Sequence, residues 1–270
     1  MEDNKINFID KKGRIITPKF ENYTFLMQTM YDVTVYSEGL ASIIIRKPND
    51  EEWHNEIYIN KKGKNVFNCQ YKFAADFSEG LAMVQQLDST IGYINKNGKM
   101  VIKLDKGEGG TGEFKEGYAI IMDSLGNEHF IDKKGAILGK RNYKRVSQFS
   151  DGMARVEINN KLGYINTKGK LVIPAIYNYA STYDFNNGIA PVSIDSPEIP
   201  DKHITFLIDK KGNRISEEFN NNTIIRSFNG DLAFGTLSTD DFNCDIHFYI
   251  NRKGIIVWQD TICNKQNVDW

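Results

Sequence analysis

The residues of this chain that could do chemistry are few and scattered. Its four histidines are His54, His129, His203 and His247, and none has a second His or Cys at metal-ligand spacing. A zinc site is therefore not expected, and nothing else in the chain indicates a metal or a cofactor. Cys69, Cys244 and Cys263 are an odd count at wide spacing with no C-x-x-C, the pattern of free thiols in a reducing compartment. There is no G-x-S-x-G elbow, so a nucleophile–His–acid set would have to assemble in space without a local signature. The segment Gly107-Glu108-Gly109-Gly110-Thr111-Gly112 resembles a phosphate cradle in composition only. A P-loop needs a Lys-Ser/Thr pair and a following helix. Here Glu113-Phe114-Lys115-Glu116-Gly117 leads into a strand, and Glu108 and Glu113 would repel phosphate, so the segment is expected to be an inter-repeat loop. The expectation is a protein without catalytic activity.

Acidic clusters are the more suggestive feature. Asp50, Glu51 and Glu52 precede Trp53; Asp195, Glu198 and Asp201 form a second group; Asp240 and Asp241 precede Phe242 and Asp245 form a third. All three occupy the same connection of a repeated unit, which is about six residues longer in these copies than in the others. Repeat proteins place function where copies diverge. An acidic rim carrying Trp53 and Phe242 would favour a basic protein partner.

The elements that must position these groups come from two repeated phrases. The first is aromatic-Ile-Asx-x-x-Gly, as in Tyr93-Ile94-Asn95-Lys96-Asn97-Gly98, and it occurs seven times, with Leu207 replacing the aromatic in one copy. Asx at the first turn position with Gly three residues on predicts a type I turn closed by a left-handed Gly, hence a bulged hairpin. The hairpins are expected at 8–16, 58–66, 93–101, 130–138, 164–172, 207–215 and 249–257. The aliphatic three residues past each Gly (Ile16, Val66, Val101, Leu138, Val172, Ile215, Val257) should face the aromatic across the hairpin. The Lys pairs at the turns, such as Lys133-Lys134 and Lys210-Lys211, are read as solvated turn residues.

The second phrase places an aromatic five residues before an Ala: Tyr36/Ala41, Phe77/Ala82, Phe114/Ala119, Phe149/Ala154, Phe185/Ala190 and Phe228/Ala233. A Gly stands two before the Ala in five copies and slips to Gly230 in the last. Period-two burial after it predicts a strand, with the Ala as a packing residue. No segment has the apolar spacing and end signals of a helix.

Composition fits this. The chain has 270 residues, 40% hydrophobic, with 34 Lys+Arg against 35 Asp+Glu. A net charge of −1 argues against a nucleic-acid binder and against adhesion to an anionic membrane. No stretch reaches the length of a membrane span and no leader pattern opens the chain, so the cytoplasm is the expected location. A small-molecule ligand is not indicated.

The two phrases together resemble the WG-repeat (KWG-repeat) family of bacterial proteins. The resemblance rests on Phe77-Ser78-Glu79-Gly80-Leu81-Ala82-Met83-Val84, Ile91-Gly92-Tyr93-Ile94-Asn95, Leu162-Gly163-Tyr164-Ile165-Asn166 and Leu171-Val172-Ile173-Pro174. Ile91 and Leu162 stand where the family has Trp. The resemblance implies an all-β repeat scaffold with a binding role and no common catalytic activity. The sequence is read as a single domain over 1–270 of about six and a half three-stranded units, forming an open curved stack or solenoid, with 258–270 as a C-terminal cap. A β-propeller is the alternative. The function expected is a protein-binding scaffold, in its specific form an immunity or antidote protein for a basic partner. The alternative is a cell-wall or glycan binder, since the aromatic hairpins are similar to choline-binding repeats.

Overall fold

The computed structural model describes residues 8–9, 15–16, 24–25, 36–46, 54–179, 181–199, 202–219, 223–238 and 244–263. Among them there are strands and turns and no helix. The chain divides into two compact units, residues 1–126 with 130–137, and residues 127–129 with 138–270.

Every sheet is antiparallel where its register is given, and each joins strands consecutive in sequence. β1 (Phe8–Ile9) pairs with β2 (Ile15–Ile16). β3 (Thr24–Phe25), β4 (Leu40–Arg46) and β5 (His54–Asn60) form a three-stranded sheet. β6 (Phe73–Ala74), β7 (Leu81–Gln85), β8 (Ile91–Asn95) and β9 (Met100–Lys103) form a four-stranded one. β10 (Gly109–Lys115), β11 (Tyr118–Met122), β12 (Glu128–Asp132) and β13 (Ile137–Tyr143) form another. β14 (Met153–Ile158), β15 (Lys161–Asn166) and β16 (Leu171–Tyr177) follow as three strands, then β17 (Ile189–Asp195) and β18 (His203–Asp209) as two. The last sheet is β19 (Thr223–Ile225), β20 (Leu232–Ser238), β21 (Cys244–Asn251) and β22 (Ile256–Cys263). Where three strands per unit were expected, the sheets hold two to four. The extra strand is a piece such as Phe73–Ala74, too short to leave an alternating pattern.

The hairpin turns follow from their side chains. Gly98 donates its N–H to the Asn95 carbonyl, and Asn95 donates to the Lys99 carbonyl. The Asn95 side-chain oxygen accepts from the N–H groups of Asn97 and Lys99, which is why the position is Asx in every copy. Gly98 sits at φ 75°, the left-handed conformation that the turn requires. One expectation holds in the first hairpin, where Phe8 faces Ile16, and is corrected in others. The residue facing the aromatic is four past the Gly in the longer hairpins: Tyr93 faces Ile102, Tyr164 faces Ile173 and Tyr249 faces Trp258. A second bulge after the turn inserts Val101, Val172 or Val257. Adjacent aliphatics at these places make either register look plausible in sequence.

The second phrase forms tight turns. Ser78 and Leu81 exchange both backbone hydrogen bonds around Glu79 (φ 52°) and Gly80 (φ 87°), a type I′ hairpin. In the last copy Asn229 and Leu232 enclose Gly230 at φ 63°, and Asp231 has no positive φ. That is the type II′ pattern, with Gly first, and it explains the slipped glycine.

A non-glycine in the left-handed region is uncommon. Here its carboxylate has a use. Glu38 accepts the Gly80 N–H at 3.1 Å and pairs with Lys96 at 3.2 Å. Glu79 accepts the Gly117 N–H at 3.0 Å and pairs with Lys133 at 2.9 Å. Asp151 accepts the Gly188 N–H and pairs with Lys210 at 2.7 Å. The preceding serines add a parallel bond: Ser37, Ser78 and Ser150 donate to the carbonyls of Phe77, Phe114 and Phe185. Each set ties one repeat to the next. Lys96, Lys133 and Lys210 are thus inter-repeat ties, which for Lys133 and Lys210 corrects their reading as solvated turn residues.

The core lies between successive sheets. Tyr58 packs on Phe77 with ring centroids 5.0 Å apart, Tyr93 on Phe114 at 4.9 Å and Tyr164 on Phe185 at 4.9 Å. Such pairs contribute about 0.5–1.5 kcal/mol beyond their buried area. Tyr58 and Tyr164 also donate their hydroxyls, at 2.6 Å, to the carbonyls of Ala75 and Tyr183. The repeated Ala is buried in all six copies. It faces the repeated Ile in Ala41/Ile59, Ala82/Ile94, Ala154/Ile165, Ala190/Ile208 and Ala233/Ile250.

Two further expectations change. From Gly109 on, the Gly-rich segment is strand β10, not a loop. A Cβ on Gly110 would lie 2.7 Å from the Ile120 carbonyl oxygen, so the glycine serves close backbone packing. Cys244 and Cys263 are joined in a disulfide, with Cα atoms 4.0 Å apart, and Cys69 alone is free. Their separation of 19 residues hides the fact that β21 and β22 set them directly opposite each other.

Candidate functional site

Of the residues expected to form an acidic rim, Asp50, Glu51, Glu52, Trp53, Asp201, Asp240, Asp241 and Phe242 lie outside the described residues. Asp195 and Glu198 are described. Asp195 ends β17, opposite His203 at the start of β18, so it is a strand residue and not part of a loop. Its carboxylate is engaged. Lys161 reaches it at 2.7 Å, the Asn178 amide donates to it at 2.8 Å, and His203 Nδ1 lies 3.9 Å away. The hydrogen bond from Lys161, followed by that from Asn178, holds the Asp195 carboxyl below its ordinary range. A group already balanced this way offers little to a basic partner. Glu198 is exposed, its backbone N–H held by the Ser196 hydroxyl at 3.3 Å.

A different surface stands out in the last sheet. Every residue of β22 is exposed, including Ile256, Val257, Trp258 and Ile262. β22 is the edge strand of its sheet. Phe234, Tyr249 and Trp258 lie side by side in the register of β20, β21 and β22. Their rings form a ladder, with centroids 5.4 Å apart between Phe234 and Tyr249 and 5.8 Å between Tyr249 and Trp258. Arg226 sits over the Phe234 ring at 5.9 Å. Tyr249 is 40% exposed and Trp258 50% exposed, so the ladder faces outward. The opposite face of β20 and β21 carries the core residues Ala233, Phe248 and Ile250.

Residues 258–263, expected to belong to a C-terminal cap, continue β22; 264–270 lie outside the described residues. The signal in the sequence was the unbroken run Ile255-Ile256-Val257-Trp258. A strand with one buried face would alternate.

Comparison with known proteins agrees with the repeat reading. The WG containing repeat matches four times in tandem, at residues 58–88, 91–123, 130–161 and 163–196. The chain is a WG-repeat protein. No curated protein sequence matches it. Among solved structures, BamB from Moraxella catarrhalis is similar at 13% identity and TM-score 0.41, over 86% of this chain and 76% of that one. A eukaryotic initiation factor is similar at 11% identity and TM-score 0.44, over 97% and 84%. A prolyl endopeptidase is similar at 11% identity and TM-score 0.48, over 87% and 42%. At these values the likenesses decide neither architecture nor activity.

Proposed function

We propose that this chain is a non-enzymatic protein-binding scaffold, and that its last sheet makes the contact. The observation that supports this is β22, an edge strand of eight residues, all exposed, carrying Ile256, Val257, Trp258 and Ile262. Exposed edges with apolar side chains invite pairing, and proteins that keep one commonly use it. Trp and Tyr are the side chains that anchor interfaces most often.

The finer version is an antidote that neutralises a basic partner. Asp50, Glu51, Asp240 and Asp241 would then supply the negative charge that such a partner seeks. Asp195 does not join them, because Lys161 and Asn178 hold it.

A cytoplasmic location, expected from the sequence, sits poorly with the Cys244–Cys263 disulfide, since such bonds persist in oxidising compartments. Alkylation of the protein taken from its own cells decides this by thiol count.

The functional test is capture of partners from host lysate by the full chain, compared with a Trp258→Ala/Ile256→Asp variant. Loss of a stoichiometric partner in the variant supports the last sheet as the contact. Release of that partner by salt, and its loss on neutralising Asp240 and Asp241, supports the antidote version. Equal capture by both chains removes the last sheet from the reading.

A further inference from the structure

A cavity of about 510 Å³ lies beside the tip of the β14–β15 hairpin, lined in part by Tyr143, Lys144, Glu157, Asn159 and Asn160. That volume is within the roughly 300–1,000 Å³ of small-molecule sites. Its origin is local. The segment before β14 hydrogen-bonds to it as far as Arg145, whose carbonyl accepts the Glu157 N–H at 2.8 Å. Tyr143 and Lys144 lie before that bond, and Ile158, Asn159 and Asn160 lie beyond it, so a gap opens between the two.

The polar groups around this gap are poorly matched to one another. Glu157 is only 6% exposed. The Tyr179 hydroxyl donates to its Oε2, while Oε1 has no hydrogen-bond partner among the described residues. Oε1 is not sealed inside the protein, so it opens to the cavity that Glu157 lines and is free to accept from a ligand there. Lys144 is exposed, on the same cavity, and makes no ion pair among the described residues. The side chains of Asn159 and Asn160 likewise make no hydrogen bonds among them. Their backbones, at φ 52° and 60°, form a two-residue turn at the rim.

One buried anion and one separate cation in the same cavity call for a ligand carrying both charges. A phosphate would meet Glu157; a metal ion would find a single carboxylate; a neutral sugar would leave both charges unmatched. We infer that this cavity binds a small zwitterion, an α-amino acid or short peptide. Its ammonium would meet Glu157 and its carboxylate Lys144, with the asparagine amides on the peptide or side-chain polar atoms. Nothing in this site depends on the last sheet, so it can stand or fall apart from the protein-binding reading.

The test is calorimetric titration of the full chain with L-alanyl-L-alanine, then with free L-alanine, the N-acetylated dipeptide and the dipeptide amide. Saturable binding of the dipeptide or the amino acid is expected, and the better of the two identifies the source. Blocking either end should weaken binding by roughly ten-fold or more. Glu157→Gln should abolish the penalty for N-acetylation, and Lys144→Met the penalty for amidation. Lys144→Met is a surface change, so it and the ligand series keep the test valid if Glu157→Gln unfolds. No saturable binding up to about 10 mM overturns the inference. So does binding indifferent to both end groups, or equal binding of maltose.

Discussion

Strand β14 has a two-residue turn at each end, and the two are used in opposite ways. At its start Asp151 and Gly152 take φ of 57° and 74°. At its finish Asn159 and Asn160 take 52° and 60°. The backbones are alike. The Asp151 carboxylate is consumed by the Gly188 N–H and by Lys210 of the next repeat. The two asparagine amides are left facing a cavity. A left-handed residue lifts its side chain away from the strand. Whether that side chain becomes glue or a ligand-facing group depends on what stands opposite it.

The comparison can be broken most strongly at the junction that Asp151 serves. Phe185→Ala removes the ring packed on Tyr164 and should cost about 3–5 kcal/mol in urea denaturation. A loss below about 1 kcal/mol would mean the stacked rings do not hold the repeats.

Glu56 is another inward-turned acid, and pH reports on it. Burial, opposed by the Ala74 N–H and aided by Asp76, pushes its carboxyl up from 4.5 to about 7. The native chain then keeps a proton that the unfolded chain has lost. Stability should fall as pH rises from 4.5 to about 7, by on the order of 3 kcal/mol, and level off above. Glu56→Gln keeps the acceptor for Ala74 and should lack this step. Equal slopes for both chains in denaturation from pH 4 to 8 would place Glu56 in water.

At the tie itself, Asp151→Ala should cost about 1–2 kcal/mol, with the Lys210 share shrinking in high salt. The same change at Asn159 should cost less, about 1 kcal/mol for placing Ala at φ 52°, and show no salt dependence, sharpening the contrast between glued and open turns. The smallest effect runs the other way. Asn160→Gly relieves a left-handed backbone at φ 60° and should cost nothing or stabilise by a few tenths of a kcal/mol. A loss of more than about 1 kcal/mol would show that the Asn160 side chain is structural.

Much of the fold could be read from the chain because turn chemistry is local. Asn95 and Gly98 define their turn through bonds to neighbours within four residues. The buried Ala and Ile positions follow from period-two burial in the same way. The site was much less legible. Glu157, Lys144 and Asn160 are not close enough in pattern to form a motif, although Asn-Asn between two strands was a visible turn signal. The acidic connections did catch the eye, yet Asp195 turned out to be spoken for by Lys161, 34 residues earlier.

By itself, then, the sequence determined the repeated hairpins, their left-handed glycines and the packing role of the alanines. These depend on interactions within one repeat. Tertiary structure alone decided the rest: that Lys133 binds Glu79, that Cys244 meets Cys263, that Trp258 faces Tyr249, and that Glu157 borders a cavity. Each needs a register or a neighbouring repeat to bring together side chains that the chain itself keeps apart. A one-residue bulge is enough to change those partners, and single residue types do not encode it.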